Sequence, residues 1–173
     1  MSSLNLIVRD ATENDREAVS AVTVSAYAQY EEPISATGRW QAYVEELRAS
    51  AYEGYPFARI VAETEEGEIV GSVQLFADSE AAYDDPELGI RSPIIRYLAV
   101  SPAARGRGVA TLLLQESIRR SRARGADSVY LHTNDIMDAA IRLYERHGFR
   151  RAEDKDIRLG ETLIKSFRLA LNE

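Results

Sequence analysis

The stretch Ile94–Ala123, IIRYLAVSPAARGRGVATLLLQESIRRSRA, decides how this chain reads. Its opening, IIRYLAV, is rich in β-branched and aromatic residues and is closed by Ser101-Pro102, which predicts a strand over 94–100. Val109, Leu112, Leu113 and Ile118 recur at near-helical spacing and Gly125 stands where helices stop, so a long amphipathic helix follows. Between the two lies Arg105-Gly106-Arg107-Gly108. The first turn of a helix has backbone N–H groups without partners and a partly positive dipole end. Glycine lets the backbone approach a ligand closely. Together these make a cradle suited to a phosphate or pyrophosphate, with Arg105 and Arg107 adding charge. A helix entry with a solvated arginine pair would look the same in sequence.

Composition narrows the classes. The 173 residues fit one domain, 1–173, with enough chain to bury a sizeable core. No repeat, linker or low-complexity segment interrupts them. The absence of cysteine excludes disulfides, thiolate catalysis and cysteine-ligated metals. His132 and His147 have no ligand spacing around them, so no metal is expected. A net charge of −7 argues against nucleic acid as a partner, although Arg105, Arg107, Arg119, Arg120, Arg122 and Arg124 gather in the central turn and helix. No run reaches a membrane span, and Met1-Ser2-Ser3-Leu4 lacks the regions of a signal peptide. The expectation is a cytoplasmic protein with no membrane partner. No Gly-Lys-Ser/Thr follows the glycines, so this is not a P-loop nucleotidase.

Read in order, Leu4–Arg9 alternates like a strand. Thr12 is placed to cap a helix with Asp15 in its first turn, carrying Ala18, Val19, Val22 and Ala26 inward. Glu31-Glu32-Pro33 breaks that helix, and a second from about Arg39 to Tyr52 buries Trp40, Tyr43, Val44 and Leu47. Ala58–Thr64 and Ile69–Ala77 form a hairpin. Asp78–Ser92 reads as an acidic loop. Ser128–His132 follows strand and helix in βαβ order and should lie parallel to Ile94–Val100. Thr133-Asn134-Asp135 offers the cap for a helix bearing Ala140, Ile141 and Tyr144, which Gly148 ends. A last ββ pair starts at Phe149, breaks around Glu153–Asp156 and finishes with Thr162–Leu171.

Two blocks carry a resemblance. Arg105-x-x-Gly108-x-Ala110 after an apolar strand, and Ala139-Ala140-Ile141-Arg142-Leu143-Tyr144-Glu145-Arg146-His147-Gly148-Phe149 further on, resemble in order and spacing the GNAT superfamily of N-acetyltransferases. The resemblance runs from Ala58 to the C-terminus. It implies an α/β fold of the α+β type: a mixed central sheet of about seven strands with flanking helices, in which the strands matching Ile94–Val100 and Ser128–His132 splay apart to admit the pantetheine arm of acyl-CoA. By resemblance, Leu98, Ala99 and Val100 give backbone bonds to pantetheine and the thioester carbonyl. Arg105, Gly106, Arg107, Gly108, Val109 and Ala110 hold the pyrophosphate, and Tyr144 lies beside the cofactor sulfur as general acid.

Two positions depart from the family pattern. Ile94 stands where many relatives have a strand glutamate that serves as base, which leaves His132, a water chain or a carboxylate of Asp78–Glu87 as alternatives. Met137 stands where relatives often have a cofactor-binding asparagine, and Asn134 is the neighbouring substitute. The resemblance thus implies transfer of an acetyl group from acetyl-CoA to a primary amine, more readily a small molecule than a protein, in a ternary complex, since no cysteine can carry the acyl group. Carboxylates in Glu31–Arg39, Asp78–Ser92 and Glu153–Glu161 would favour a cationic amine. The alternative is an acyl-CoA-binding sensor or regulatory module without efficient turnover. The fold commonly forms homodimers, but no apolar stripe in the sequence assigns a face to one.

Overall fold

The structure is a computed structural model and describes residues 5–171. In chain order the elements are β1 (Leu6–Asp10), α1 (Arg16–Tyr27), α2 (Glu31–Ser35), α3 (Trp40–Ala49), β2 (Ala58–Thr64), β3 (Ile69–Phe76), α4 (Ser79–Tyr83), β4 (Ile94–Val100), α5 (Val109–Ala123), β5 (Ser128–Thr133), α6 (Asp138–Arg146), β6 (Arg150–Arg151), β7 (Ile157–Leu159) and β8 (Thr162–Ala170). The strands hydrogen-bond in the order β1-β2-β3-β4-β5-β8-β6, with β7 on β8. Among the described residues the sheet has eight strands, against the expected seven or so. The expected last pair is divided because a 3-10 turn at Glu153–Lys155 separates β6 from β7. Arg151 and Asp156 clamp each other across that turn, at 2.6 and 2.7 Å.

Two compact units are distinguishable. One draws on the chain up to Gly54, Ala58–Gln74 and Tyr97–Glu116; the other on Tyr55–Phe57, Leu75–Arg96 and the chain from Ser117. In the first, β1 runs antiparallel to β2 from Leu6↔Thr64 to Asp10↔Ile60. Leu4 lies outside the described residues. Val19 of α1 packs with Ala51 and Val61, flanked by Ala11 and Ile69.

α1 buries Val19, Val22 and Ala26 as the spacing predicts, but Ala18 is exposed, and Ser20 and Thr23 are buried instead. Their hydroxyls return hydrogen bonds to the carbonyls of Arg48 and Val19, which makes their burial tolerable. Pro33 does not break the helical path. It sits in the first turn of α2, where a missing N–H costs nothing. In α3, Val44 and Leu47 are buried, whereas Trp40 and Tyr43 are half-buried. α5 buries Val109, Leu113 and Leu114, leaving Leu112 exposed.

Thr12 caps a 3-10 turn, Glu13–Asp15, rather than α1 itself. Its N–H donates to Asp15 Oδ2 at 2.7 Å, and Arg9 meets both oxygens of that carboxylate. The Arg9 guanidinium holds the Asp15 carboxyl down at about 2, below its usual 3.8. A lowered native pKa contributes stability above the unfolded value and loses it as pH falls through the native one. Wild-type stability should therefore fall more steeply than that of Asp15→Asn between about pH 4 and pH 2, with the variant already less stable at pH 7. Chemical-denaturation curves across that range check this; parallel slopes would remove the pair from the stability account.

In the second unit, β5 pairs antiparallel with β8 from Ser128↔Ala170 to Thr133↔Lys165. β4 pairs in parallel with β5 at Ile94↔Tyr130 and Ile95↔Leu131, as the βαβ order predicts. Ile94, Val129, Leu131 and Phe167 are buried. The segment Asp78–Ser92 is not a plain loop. It forms α4 and a 3-10 turn at Pro86–Leu88, because Asp78 accepts the Ala81 N–H and Asp85 the Leu88 N–H. Two of its acidic residues are caps. Asn134 does not cap α6, which starts at Asp138. Its Oδ1 instead accepts the Ile136 N–H at 3.2 Å, closing a turn just before the helix. Among the described residues no helix is long and apolar enough to cross a membrane.

Candidate functional site

The first unit holds the turn and the second half of β4. Gly106 and Gly108 have φ of +77° and +82°, and a Cβ on either would meet nothing within 4 Å. These glycines therefore answer to backbone conformation and to open space, not to internal crowding. They stand directly before α5, 15 residues long, with the Leu112 N–H donating to Gly108 O at 3.1 Å. The first-turn N–H groups of such a helix point back along the axis with no intrahelical acceptor. An anionic group placed there finds donors and positive dipole together. The strand, turn and helix boundaries match the sequence reading.

The end of α1 holds both the turn and the strand. Arg105 Nη2 donates to Ala26 O at 3.3 Å, and Tyr27 Oη donates to Leu98 O at 3.2 Å. β4 is bent at Tyr97, whose φ of +58° is left-handed, a region that costs non-glycine residues strain. Alternation fails there: Arg96, Tyr97 and Leu98 are all half-buried in succession. Tyr97 Oη donates to Glu46 Oε2 at 2.9 Å. Tyr27 also packs against Tyr30 and Tyr43, with ring centroids 6.1 Å apart in each case. Of the residues expected to contact pantetheine, Ala99 is buried while Leu98 and Val100 are half-buried. The Leu98 carbonyl is already engaged by Tyr27.

The second unit holds His132, Asn134 and Tyr144. Tyr144 is the buried residue of α6, its ring 6.0 Å from that of Phe149. Gly148 has φ +92°, and its N–H returns to Glu145 O, which ends the helix and turns Phe149 back toward that ring. Met137 does not hydrogen-bond as an asparagine would; its sulfur receives the Thr133 hydroxyl at 3.3 Å.

His132 is bonded at both ring nitrogens: Nε2 lies 3.0 Å from Lys155 O, and Nδ1 lies 2.9 Å from Tyr83 Oη. Burial pushes this imidazole below its ordinary range and Arg96 pushes the same way, while the Lys155 carbonyl and Asp156 oppose them. The turn bearing Lys155 is fixed by three further contacts: Arg151 grips Asp156, the Ser166 N–H donates to Asp156 Oδ1, and Lys155 Nζ donates to Leu88 O. Arg151 and the Ser166 amide hold the Asp156 carboxyl below the usual carboxylate range. Among the described residues no group of three or more His, Cys, Asp or Glu could hold a metal ion.

Leu98–Val100 and Arg105–Ala110 thus fall in one unit, and His132, Asn134 and Tyr144 in the other. Sequence reasoning missed Tyr27, Tyr83 and Arg96. The hydrogen bonds that place them reach residues well away along the chain, so no local pattern flags them.

The bent strand is followed by a glycine turn at a helix N-terminus, a geometry that suits an anionic group. Residues 22–149 match the Acetyltransferase (GNAT) family, and the chain belongs to it. The chain is 30% identical over 139 residues to the mycothiol acetyltransferase of Thermobispora bispora, a match covering 79% of this chain and 43% of that protein. It is 39% identical over 67 residues to the Probable N-acetyltransferase family 8 member 5 of Mus musculus, covering 39% of this chain and 30% of that one. It therefore spans less than half the length of these curated relatives. Among solved structures, yncA of Salmonella typhimurium, determined with its cofactor acetyl-CoA, superposes with a TM-score of 0.63 at 20% identity, covering 98% of this chain and 95% of that one.

Proposed function

We propose that this chain transfers an acetyl group from acetyl-CoA to a primary amine of a small molecule, by direct attack in a ternary complex and as one transferase domain. The observation that carries the reading is the pair of left-handed glycines with open space above them at the start of α5. That geometry suits a pyrophosphate, and acetyl-CoA supplies with it the acetyl group as an activated thioester. The mycothiol acetyltransferase likeness and the acetyl-CoA held by yncA support the same co-substrate.

In this reading the backbone of Arg105–Ala110 binds and orients the pyrophosphate. Leu98, Ala99 and Val100 line the pantetheine with their backbone edge, and an N–H there polarises the thioester carbonyl. The bend at Tyr97 turns that edge out of the regular ladder. Tyr144 gives its phenolic proton to the departing sulfur. Asn134 contributes its amide donors, its Oδ1 being engaged by Ile136. Acidic residues near α2 and Asp78–Ser92 favour an acceptor with positive charge, though two of the latter serve first as caps.

The deciding experiment measures release of CoA thiol from acetyl-CoA against a panel of amines across pH. Turnover with one amine class establishes the transferase and names the acceptor. Tight acetyl-CoA binding with no thiol release from any amine would turn the reading to the acyl-CoA sensor. Gly108→Asp should weaken acetyl-CoA binding by at least tenfold (about 1.4 kcal/mol), because a side chain at φ +82° is strained and its charge repels the pyrophosphate. Calorimetric titration checks this, and unaltered affinity would remove the cradle from the cofactor site.

A further inference from the structure

Resting on the acetyl-CoA site of the transferase reading, we propose that Tyr97 is a positioning residue: its phenol, latched to Glu46 on α3, holds the strained bend that sets Leu98–Val100 for the thioester. Among the described residues only Tyr97 and Asp84 have positive φ without being glycine, at +58° and +54°. Asp84 is the C-cap of α4, and its short polar side chain tolerates that region. A tyrosine tolerates it far less, and a conformation of that cost persists only where its surroundings over-determine it. Glycine stands at the other left-handed positions, Gly106 and Gly108 included. A bulky ring in such a place needs a reason of its own.

Three restraints converge on this segment, all within the first unit. From α3, Glu46 Oε2 accepts the Tyr97 hydroxyl at 2.9 Å. Glu46 stands beside Leu47 and two residues after Val44, both buried, so the helix that carries the carboxylate is anchored in its own right. From α1, Tyr27 Oη donates to Leu98 O at 3.2 Å. From β3, Val70 O accepts the Ser101 N–H at 2.8 Å, which ties the chain down just beyond the segment. The last two fix the course after the bend. The bond to Glu46 is the one of the three that Tyr97 makes with its own side chain.

Glu46 is exposed, and a hydrogen bond made in competition with water adds little to global stability. It can still choose between two backbone courses, because a modest bond present in one course and absent from the other shifts their equilibrium by its full difference. The relaxed course returns residue 97 to the ordinary β region and rotates the peptide groups that follow. The N–H that polarises the thioester carbonyl then loses its aim. The cradle at Gly106 and Gly108 is set by its own φ angles, so acetyl-CoA keeps its main anchor. The latch therefore acts on the reacting carbonyl more than on binding.

The test combines single-turnover kinetics with the infrared carbonyl band of bound, carbonyl-labelled acetyl-CoA, a readout that needs no acceptor amine. Tyr97→Phe should leave acetyl-CoA affinity nearly unchanged and move the band toward its position in free acetyl-CoA. It should lower kcat by about 10–100-fold, as misplacing a reacting group by about 1 Å does. Glu46→Ala should match it, the double variant should be no worse because the two act as a unit, and Glu46→Gln, which keeps an acceptor oxygen, should keep the wild-type band. A second pair separates conformation from packing. Glycine takes positive φ freely and alanine does not, so Tyr97→Gly should stay nearer the wild type than Tyr97→Ala in band and rate; a packing role gives the reverse order. An unmoved band in Tyr97→Phe, losses that multiply in the double variant, or Tyr97→Ala outperforming Tyr97→Gly would overturn the latch and leave the transferase reading standing. If acetyl-CoA binds and no amine turns over, the transferase reading falls and the band alone decides the latch. If the wild type does not bind acetyl-CoA, both fall.

Discussion

Tyr144→Phe is expected to lower kcat by about 10²–10⁴-fold while leaving acetyl-CoA affinity nearly unchanged. Expulsion of a thiolate leaves a negative sulfur that an adjacent phenol can protonate or hydrogen-bond, and phenylalanine keeps the ring but not the proton. The ring is the larger part of the packing: Tyr144 is 8% exposed and lies tilted against Phe149, and that ring contact survives the change. A folding effect should therefore be small, and thermal melting before the kinetics separates it. Single-turnover measurement with saturating amine gives the cleanest number, since it isolates the chemical step from product release. If affinity for acetyl-CoA falls in step with the rate, Tyr144 is a packing residue of α6 and the acid lies elsewhere.

The second large effect concerns a glycine that neither motif contains. Gly71, in β3, lies against the start of α5. A Cβ there would come within 2.7 Å of Val109 Cγ1, 2.9 Å of Leu113 Cδ1 and 3.1 Å of Ala99 O. Val109 and Leu113 are 1% and 0% exposed, so neither side chain has space into which to turn. Gly71→Ala should cost about 1–3 kcal/mol by overpacking, and Gly71→Val more. At this chain length each kcal/mol lowers Tm by roughly 2–4 °C. The displaced atoms belong to β4 and to the first two turns of α5, so acetyl-CoA affinity should fall as well. Val109→Ala in the Gly71→Ala background should recover part of both losses. Wild-type melting and affinity in Gly71→Ala would show that β3 and α5 yield at no cost.

The local elements were legible because their causes are local. Val and Ile runs closed by Ser101-Pro102 make β4 wherever it packs, and positive-φ Gly106 and Gly108 fix the turn. Ala58–Thr64 and Ser128 as strand boundaries follow from the same chemistry. Errors came where one residue serves two masters. Asp78 and Asp85 read as surface charge but satisfy helix N–H groups. Pro33 read as a breaker but occupies the one turn of a helix that needs no N–H. Leu112 fits the apolar period of α5, yet Leu114 is buried in its stead, because the neighbouring layer and not the period decides which side is covered.

The sequence by itself determined the family, the glycine turn before α5 and the candidates Tyr144 and His132, since each depends on residue type and short spacing. Only the tertiary structure decided what those candidates can do. His132 has both ring nitrogens engaged because a carbonyl at Lys155 and a phenol at Tyr83, far away in sequence, lie against them. Leu98 is held by Tyr27 and the Arg105 turn by Ala26, through one helix end that no motif marks. These contacts and the bend of the strand depend on distances of a few ångströms between remote segments, and those distances are set by packing, which a linear pattern does not encode.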